Sequence, residues 1–407
     1  MITDYSLPIQ TVYSQCVDKL LQNVARHFRT VALGLESSFD WDTFVLSEMG
    51  SLTRENVQII AETVGDASGM TEIALEQAMA DALKRADPAL LKGVRDGVLS
   101  APNSRQMSAS MENILRYYSQ QAAVQTNLVN TVMLSDSQNA MRRVVSNIQA
   151  SQQYLRDVAQ GALNTATGEV VTGMSSAQTA IRGAIKDMAR AGIVGYRDKA
   201  GHLWSPEAYV SMDVRTTAGN AAREAVLQQN RQYGIDLVIV PVNRTARPGC
   251  APFQGKIISM SGQRGYTTDR YGNRVPYISI NDTTYGEPDG LFGINCHHTP
   301  PDPFVPGISR QHDKPESGVA DNYEAQQKQR YLEREVKNAK REAACYNAAG
   351  DTEAFAAAAK AVKQKQTILK AYCQKANLPF LSDRVQVYGY DRSVSGKVTQ
   401  AVKRAAR

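Results

Sequence analysis

The chain has 407 residues, 46 Lys+Arg against 40 Asp+Glu, and 43% hydrophobic residues. That length is too great for one ordinary core and predicts two or three domains, and the apolar content is enough for a globular fold. Five scattered cysteines do not make a disulfide framework, no apolar run approaches the ~18 residues of a membrane span, and the opening Met1-Ile2-Thr3-Asp4-Tyr5 has neither the basic nor the apolar region of a signal peptide, so a soluble protein made in a cytoplasm is expected.

Residues 1 to about 190 read as helix. Pro8 follows Ser6 near a helix start. Ile9, Val12, Cys16, Leu20, Val24 and Phe28 then recur at helical spacing as far as Gly34. Thr53 is expected to cap a helix through Val64, Gly65 and Gly69 to break it, Met70–Ala86 to resume it, and Asp87-Pro88 to start another. Residues from Ser108 to about Gly161 predict two helices broken near Ser135-Asp136. Their Ala and Ser content allows close helix packing. No ligand-spaced histidine or carboxylate cluster stands in this half, which reads as a scaffold or docking module.

A weak boundary falls at 168–173, and a further helix is expected to end in a left-handed cap at Gly192. Residues 193–204 read as a small hairpin. Ser205-Pro206-Glu207 carries a cap, an N1 proline and an acidic first turn, which predicts a helix to Tyr233 stopped by Gly234. Leu237–Val240 is a short buried strand, and residues 262–289 form a long loop or irregular hairpin. Beyond 311, two charged helices break at Gly350-Asp351, and a basic end follows from 393. The positive charge is concentrated here: residues 312–407 hold 18 Lys+Arg against 11 Asp+Glu. Such a tail suits an anionic surface or a solvated helical hairpin.

Several ordered blocks carry a family resemblance. They are Arg215-Thr216-Thr217, Asp236-Leu237-Val238, Ala246-Arg247-Pro248, Phe253-Gln254-Gly255-Lys256, Gly290 through His298, Pro303 through Ser309, and Tyr323 through Arg334. Across residues 205 to about 345 the chain resembles the phage minor capsid protein 2 group, itself related to the Mu F-like minor head proteins. The resemblance implies a low-copy structural protein of a tailed-phage head, in the virion near the portal, with no shared catalytic activity. Two departures stand out. Gly249-Cys250 replaces the usual Ser-His after Arg-Pro, and Phe292 and His297 replace a Cys and an Arg in the family's Cys-Gly-Trp-Asn-Cys-Arg-His block.

The sharpest chemical reading is a zinc site. Cys250, Cys296 and His298 are all zinc-ligand types, with His297 or His312 as a substitute fourth. Against it stand a buried cysteine with a satisfied histidine and a Cys250–Cys296 disulfide formed under oxidising conditions. A Cys–His hydrolase would need an oxyanion hole and an orienting acid that the sequence does not display. No phosphate-binding loop and no base-deaminase motif occurs. Lys337, Lys340, Arg341, Lys360, Lys363 and Lys365, with Lys370, offer a basic helical surface for sequence-independent contact with packaged double-stranded DNA. Together these features predict an α+β protein, predominantly α-helical. It has a helical docking module at 1–192, a compact α+β module at 193–311 and a basic helical tail at 312–407. The expected partners are the portal protein, the major capsid protein and DNA, with no membrane.

Overall fold

The computed structural model describes residues 4–34, 41–65, 67–162, 173–191, 196–197, 201, 203–310, 318–390, 394 and 396. The fold is α+β and mostly helical. Its long helices are α1 (Leu7–Gly34), α2 (Trp41–Val64), α3 (Ala67–Arg95), α4 (Ser104–Ala162) and α5 (Gly173–Ala191). A two-stranded ribbon, β1 (Tyr196–Arg197) and β2 (Leu203–Trp204), precedes α6 (Pro206–Gln232). Then come β3 (Leu237–Ile239), β4 (Ile257–Ser259), β5 (Gly265–Thr268), β6 (Arg274–Ser279) and β7 (Asp302–Pro303). The chain ends in α7 (Val319–Ala348) and α8 (Thr352–Lys375). No described helix is long and apolar enough to cross a membrane.

Packing divides the chain into two compact units, and neither follows chain order. Unit 1 comprises Met1–Gln10, Asp66–Asn127 and Val210–Gln327; unit 2 comprises Thr11–Gly65, Leu128–Tyr209 and Lys328–Arg407. The three consecutive modules expected from the sequence cut across both.

In unit 1, α3 and α6 pack through small side chains. Ala78, Ala82 and Ala86 meet Ala218, Ala221, Ala222 and Ala225, closed by Leu75, Met79 and Val226. The five-stranded sheet has the order β5-β6-β4-β3-β7. β4 and β6 run parallel and the remaining pairs antiparallel. The hairpin between β5 and β6 turns on Asp269, whose carboxylate accepts from the amides of Tyr271 and Asn273 at 2.9 and 2.8 Å. One cluster on the sheet gathers Leu227, Val238, Val240, Cys250, Ile258 and Leu291. A second gathers Ile239, Ile257, Val275 and Phe304.

In unit 2, buried polar groups tie helices together. Asn23 of α1 donates to Asn56 of α2, and Asn56 donates to Ser137 of α4, each at 3.0 Å. His27 lies between Glu48 and Glu55 at 2.8 and 3.2 Å. Arg182 of α5 grips Asp351 with two nitrogens at 2.6 and 2.8 Å, and Asp351 in turn caps α8 through the Ala354 amide. The α7–α8 hairpin closes over Val336, Leu369, Cys373 and Val385.

Four expected helix signals are absent, the first at Gly69, which lies inside α3. The Thr53 hydroxyl donates to the Met49 carbonyl at 2.8 Å inside α2, so it lies mid-helix and does not cap. Ser137 likewise donates to Leu134 at 2.7 Å, and α4 runs unbroken for 59 residues. α3 continues through Pro88, with Asp87 accepting from Gln229 at 2.8 Å. These short polar side chains find partners in the helix or on a neighbour, which removes their reason to end it. The stops at Gly34, Gly234 and Gly350 fall where expected, and residues 196–197 pair with 203–204 as the hairpin reading requires. The boundary at 168–172, the cap at Gly192 and nearly all of the basic end from 393 lie outside the described residues.

Candidate metal centre

Cys250, Cys296 and His298 converge in unit 1. One ligand atom from each lies within 4.8 Å of the other two. The two sulfurs are 3.9 Å apart, and Cys296 Sγ is 3.4 Å from His298 Nδ1. Cys250 is fully buried at the head of a short 3₁₀ turn, Ala251–Phe253, that follows β3. Cys296 and His298 are half-buried and arrive on the long loop between β6 and β7. His312, proposed as a further ligand, lies outside the described residues, and His297 is exposed.

The loop that delivers Cys296 and His298 is held in a costly conformation. Phe292 and Asn295 have φ of 57° and 56°, the left-handed region that non-glycine residues seldom occupy. Gly290 is packed so closely against the Thr284 carbonyl that a side-chain carbon would collide with it, and Gly249 stands the same way to Asp289. Three arginines and a threonine keep the loop there. Arg247 donates to the Gly290 and Ile294 carbonyls at 2.6 and 2.7 Å. From α6, Arg215 reaches Asn295 Oδ1 at 2.5 Å while also pairing with Asp4 at 2.8 Å. Thr216 Oγ1 accepts the Asn295 amide at 2.9 Å, and Arg223 lies over the Phe292 ring at 5.5 Å. The Arg215-Thr216 block therefore positions the cysteine loop.

Gln254 completes the arrangement. Its Oε1 is 3.3 Å from His298 Nε2 and also accepts the Asn243 amide. With Nε2–H donated to this amide oxygen, Nδ1 keeps its lone pair toward the sulfurs. Cys296 Sγ also accepts the His298 backbone amide at 3.4 Å. The two thiols are pushed in opposite directions. The hydrogen bond with Cys296, helped by His298 and Arg247 against burial, lowers the Cys250 thiol, and the same bond with burial raises that of Cys296. The other three cysteines are buried and raised by that burial, Cys16 to about 12. Chemically, the cluster offers two soft sulfurs and an oriented imidazole; it also sets a thiol beside a histidine whose far nitrogen is held by an amide.

The basic residues separate into two groups. Arg341 is buried and bonds Asp18 at 2.6 Å and Glu207 at 2.7 Å. Lys337 lies 3.5 Å from Glu207 with only 15% of its side chain exposed, and buried Lys340 donates to the Val385 carbonyl at 2.7 Å. These three were expected on a DNA-facing surface and instead face inward, because internal acceptors hold their charges. Lys360, Lys363 and Lys370 are exposed on α8, and half-buried Lys365 pairs with Glu335.

A family model described as Phage minor capsid protein 2 matches residues 3–374. The chain is 28% identical over 347 residues to a structural protein of Lactococcus phage LL-H, covering 84% of this chain and 87% of that protein. A structural protein of Lactococcus phage mv4 is 36% identical over 96 residues, 23% of this chain and 77% of its own length. No solved structure matches the chain significantly.

Proposed function

The chain belongs to the phage minor capsid protein 2 family, a family of structural phage proteins, and from that membership we propose that it is a low-copy head component docked at the portal vertex and facing packaged DNA. The observation that carries this reading is a family match running from residue 3 to residue 374, through both packing units. Its helices support a docking role. Tyr117, Val124 and Leu128 recur at helical spacing on α4, and all three stand exposed. The surface lysines of α8 support a DNA-facing role, since phosphate contact needs free cations and no particular sequence.

The test uses intact virions and the full chain. A gold-labelled antibody against the protein, applied to heads opened and emptied of DNA, is expected to mark a single vertex at the tail joint. The isolated full chain is expected to co-purify with the portal protein. Label spread over the whole capsid shell, or protein absent from virions, would overturn the placement.

A further inference from the structure

We propose that Cys250, Cys296 and His298 bind one zinc ion, which fastens the strained loop Gly290–His298 to the turn at Cys250. Two of the three ligand separations match the edges of a tetrahedral site. Zinc–sulfur bonds of about 2.3 Å and zinc–nitrogen bonds of about 2.0–2.1 Å place two tetrahedral sulfurs roughly 3.8 Å apart, and a sulfur and nitrogen roughly 3.6 Å apart. The observed separations are 3.9 Å between the sulfurs and 3.4 Å from Cys296 Sγ to His298 Nδ1. The three atoms lie within 4.8 Å of one another, so any excess of the Cys250–His298 separation over a tetrahedral edge is at most about 1.2 Å, which binding would close.

Three further features suit a ligand set. Gln254 engages the outer imidazole nitrogen of His298, the outer contact that fixes which ring nitrogen meets a metal. The His298 amide points at Cys296 Sγ, as it would at a ligating thiolate. The backbone cost at Phe292 and Asn295 is spent where it brings Cys296 and His298 beneath Cys250. Two thiolates balance the charge of a divalent ion, and soft sulfur selects zinc over magnesium or calcium. Cys296 and His298 also line a cleft between the loop and α6, bounded by Arg215, Thr216 and Arg223. The cleft's volume of about 10 Å³ is that of a single water, the fourth ligand of the proposed site.

The competing uses of the same atoms are a Cys250–Cys296 disulfide and a nucleophilic Cys296 activated by His298. The full chain, purified without chelator, distinguishes them. Metal analysis is expected to find close to one zinc per chain. Replacement by cobalt(II) is expected to give the near-ultraviolet charge-transfer band of thiolate ligands and the intense visible bands of a tetrahedral site. Cys250→Ser and Cys296→Ser should each lose the zinc, while His297→Ala, altering the exposed neighbour, should keep it. In the zinc form Cys296 should resist alkylation, and a chelator should expose it. Wild-type protein with no zinc above background and no cobalt–thiolate band would overturn the proposal, whatever the variants do. So would a Cys250–Cys296 disulfide in protein from intact virions, or rapid alkylation of Cys296 in the zinc-loaded chain.

Discussion

Replacing Arg341 with methionine removes the cation that Asp18 and Glu207 share in unit 2. Both carboxylates are almost wholly buried, so the variant leaves them poorly compensated, with Lys337 and the Tyr388 amide as their remaining described partners. A loss of about 3–5 kcal/mol at neutral pH is expected, read as a lower urea midpoint. The loss should depend on pH. Burial opposes the charge on Glu207, but Arg341 and Lys337 prevail and hold its carboxyl down at about 2. Its contribution is therefore present above the unfolded value near 4.5 and fades as pH falls toward 2. Burial shifts Asp18 the other way, against the same two cations. Its contribution is present at low pH and is lost as pH rises through its folded value. In the variant both acids can protonate at low pH, so the deficit against wild type should shrink below about pH 4.5. A deficit that stays constant with pH would show that the cost is one of packing. The inward position of these charges has a signal in the sequence. Val336, Ala339 and Ala343, with partly buried Leu332, mark an inward stripe on α7, and Lys340 falls beside it. A count of charges along the tail does not register that periodicity.

At the scale of elements, α4 gives the cleanest test of a helix that composition argued against. Ser135→Pro places a ring and a missing amide where a break was expected and a continuous helix was found. A loss of about 3 kcal/mol or more is expected, with reduced helical circular dichroism; an unchanged unfolding midpoint would mean that the helix does bend there. The elements ended by glycine were legible in the sequence, because a left-handed residue such as Gly234 or Gly350 ends a helix by local sterics alone. Thr53, Asp87-Pro88 and Ser135-Asp136 were not, because whether a polar side chain caps a helix or turns back to a carbonyl depends on what packs beside it. The site divides in the same way. Cys250, Cys296 and His298 announce themselves by residue type. Gln254, Arg247 and Arg215 do not, since their roles arise only when the loop is folded against α6 and the sheet. All three stood within blocks that marked the family, and that was the available signal.

For the whole molecule, the exposed cations of α8 carry the expectation of DNA contact. The triple change Lys360→Glu, Lys363→Glu and Lys370→Glu in the full chain should weaken duplex binding equally on unrelated sequences and flatten its salt dependence. The fold should be unaffected, since these side chains are exposed. Binding that is unchanged by the triple variant would move the DNA-facing surface elsewhere, and a sequence preference would contradict phosphate recognition. Each packing unit is assembled from three separated stretches of chain, and this bears on how the protein is made. Asp18 leaves the ribosome 323 residues before Arg341. At roughly 5–20 residues per second, that interval is on the order of 15–65 s. Throughout it, the apolar side of the first helices has no partner from α7 or α8. The nascent chain thus presents a sticky, incomplete bundle to its surroundings until the last quarter emerges. Premature termination anywhere before α7 would release a product unable to close unit 2, and so one marked for aggregation or degradation before it reaches an assembling head.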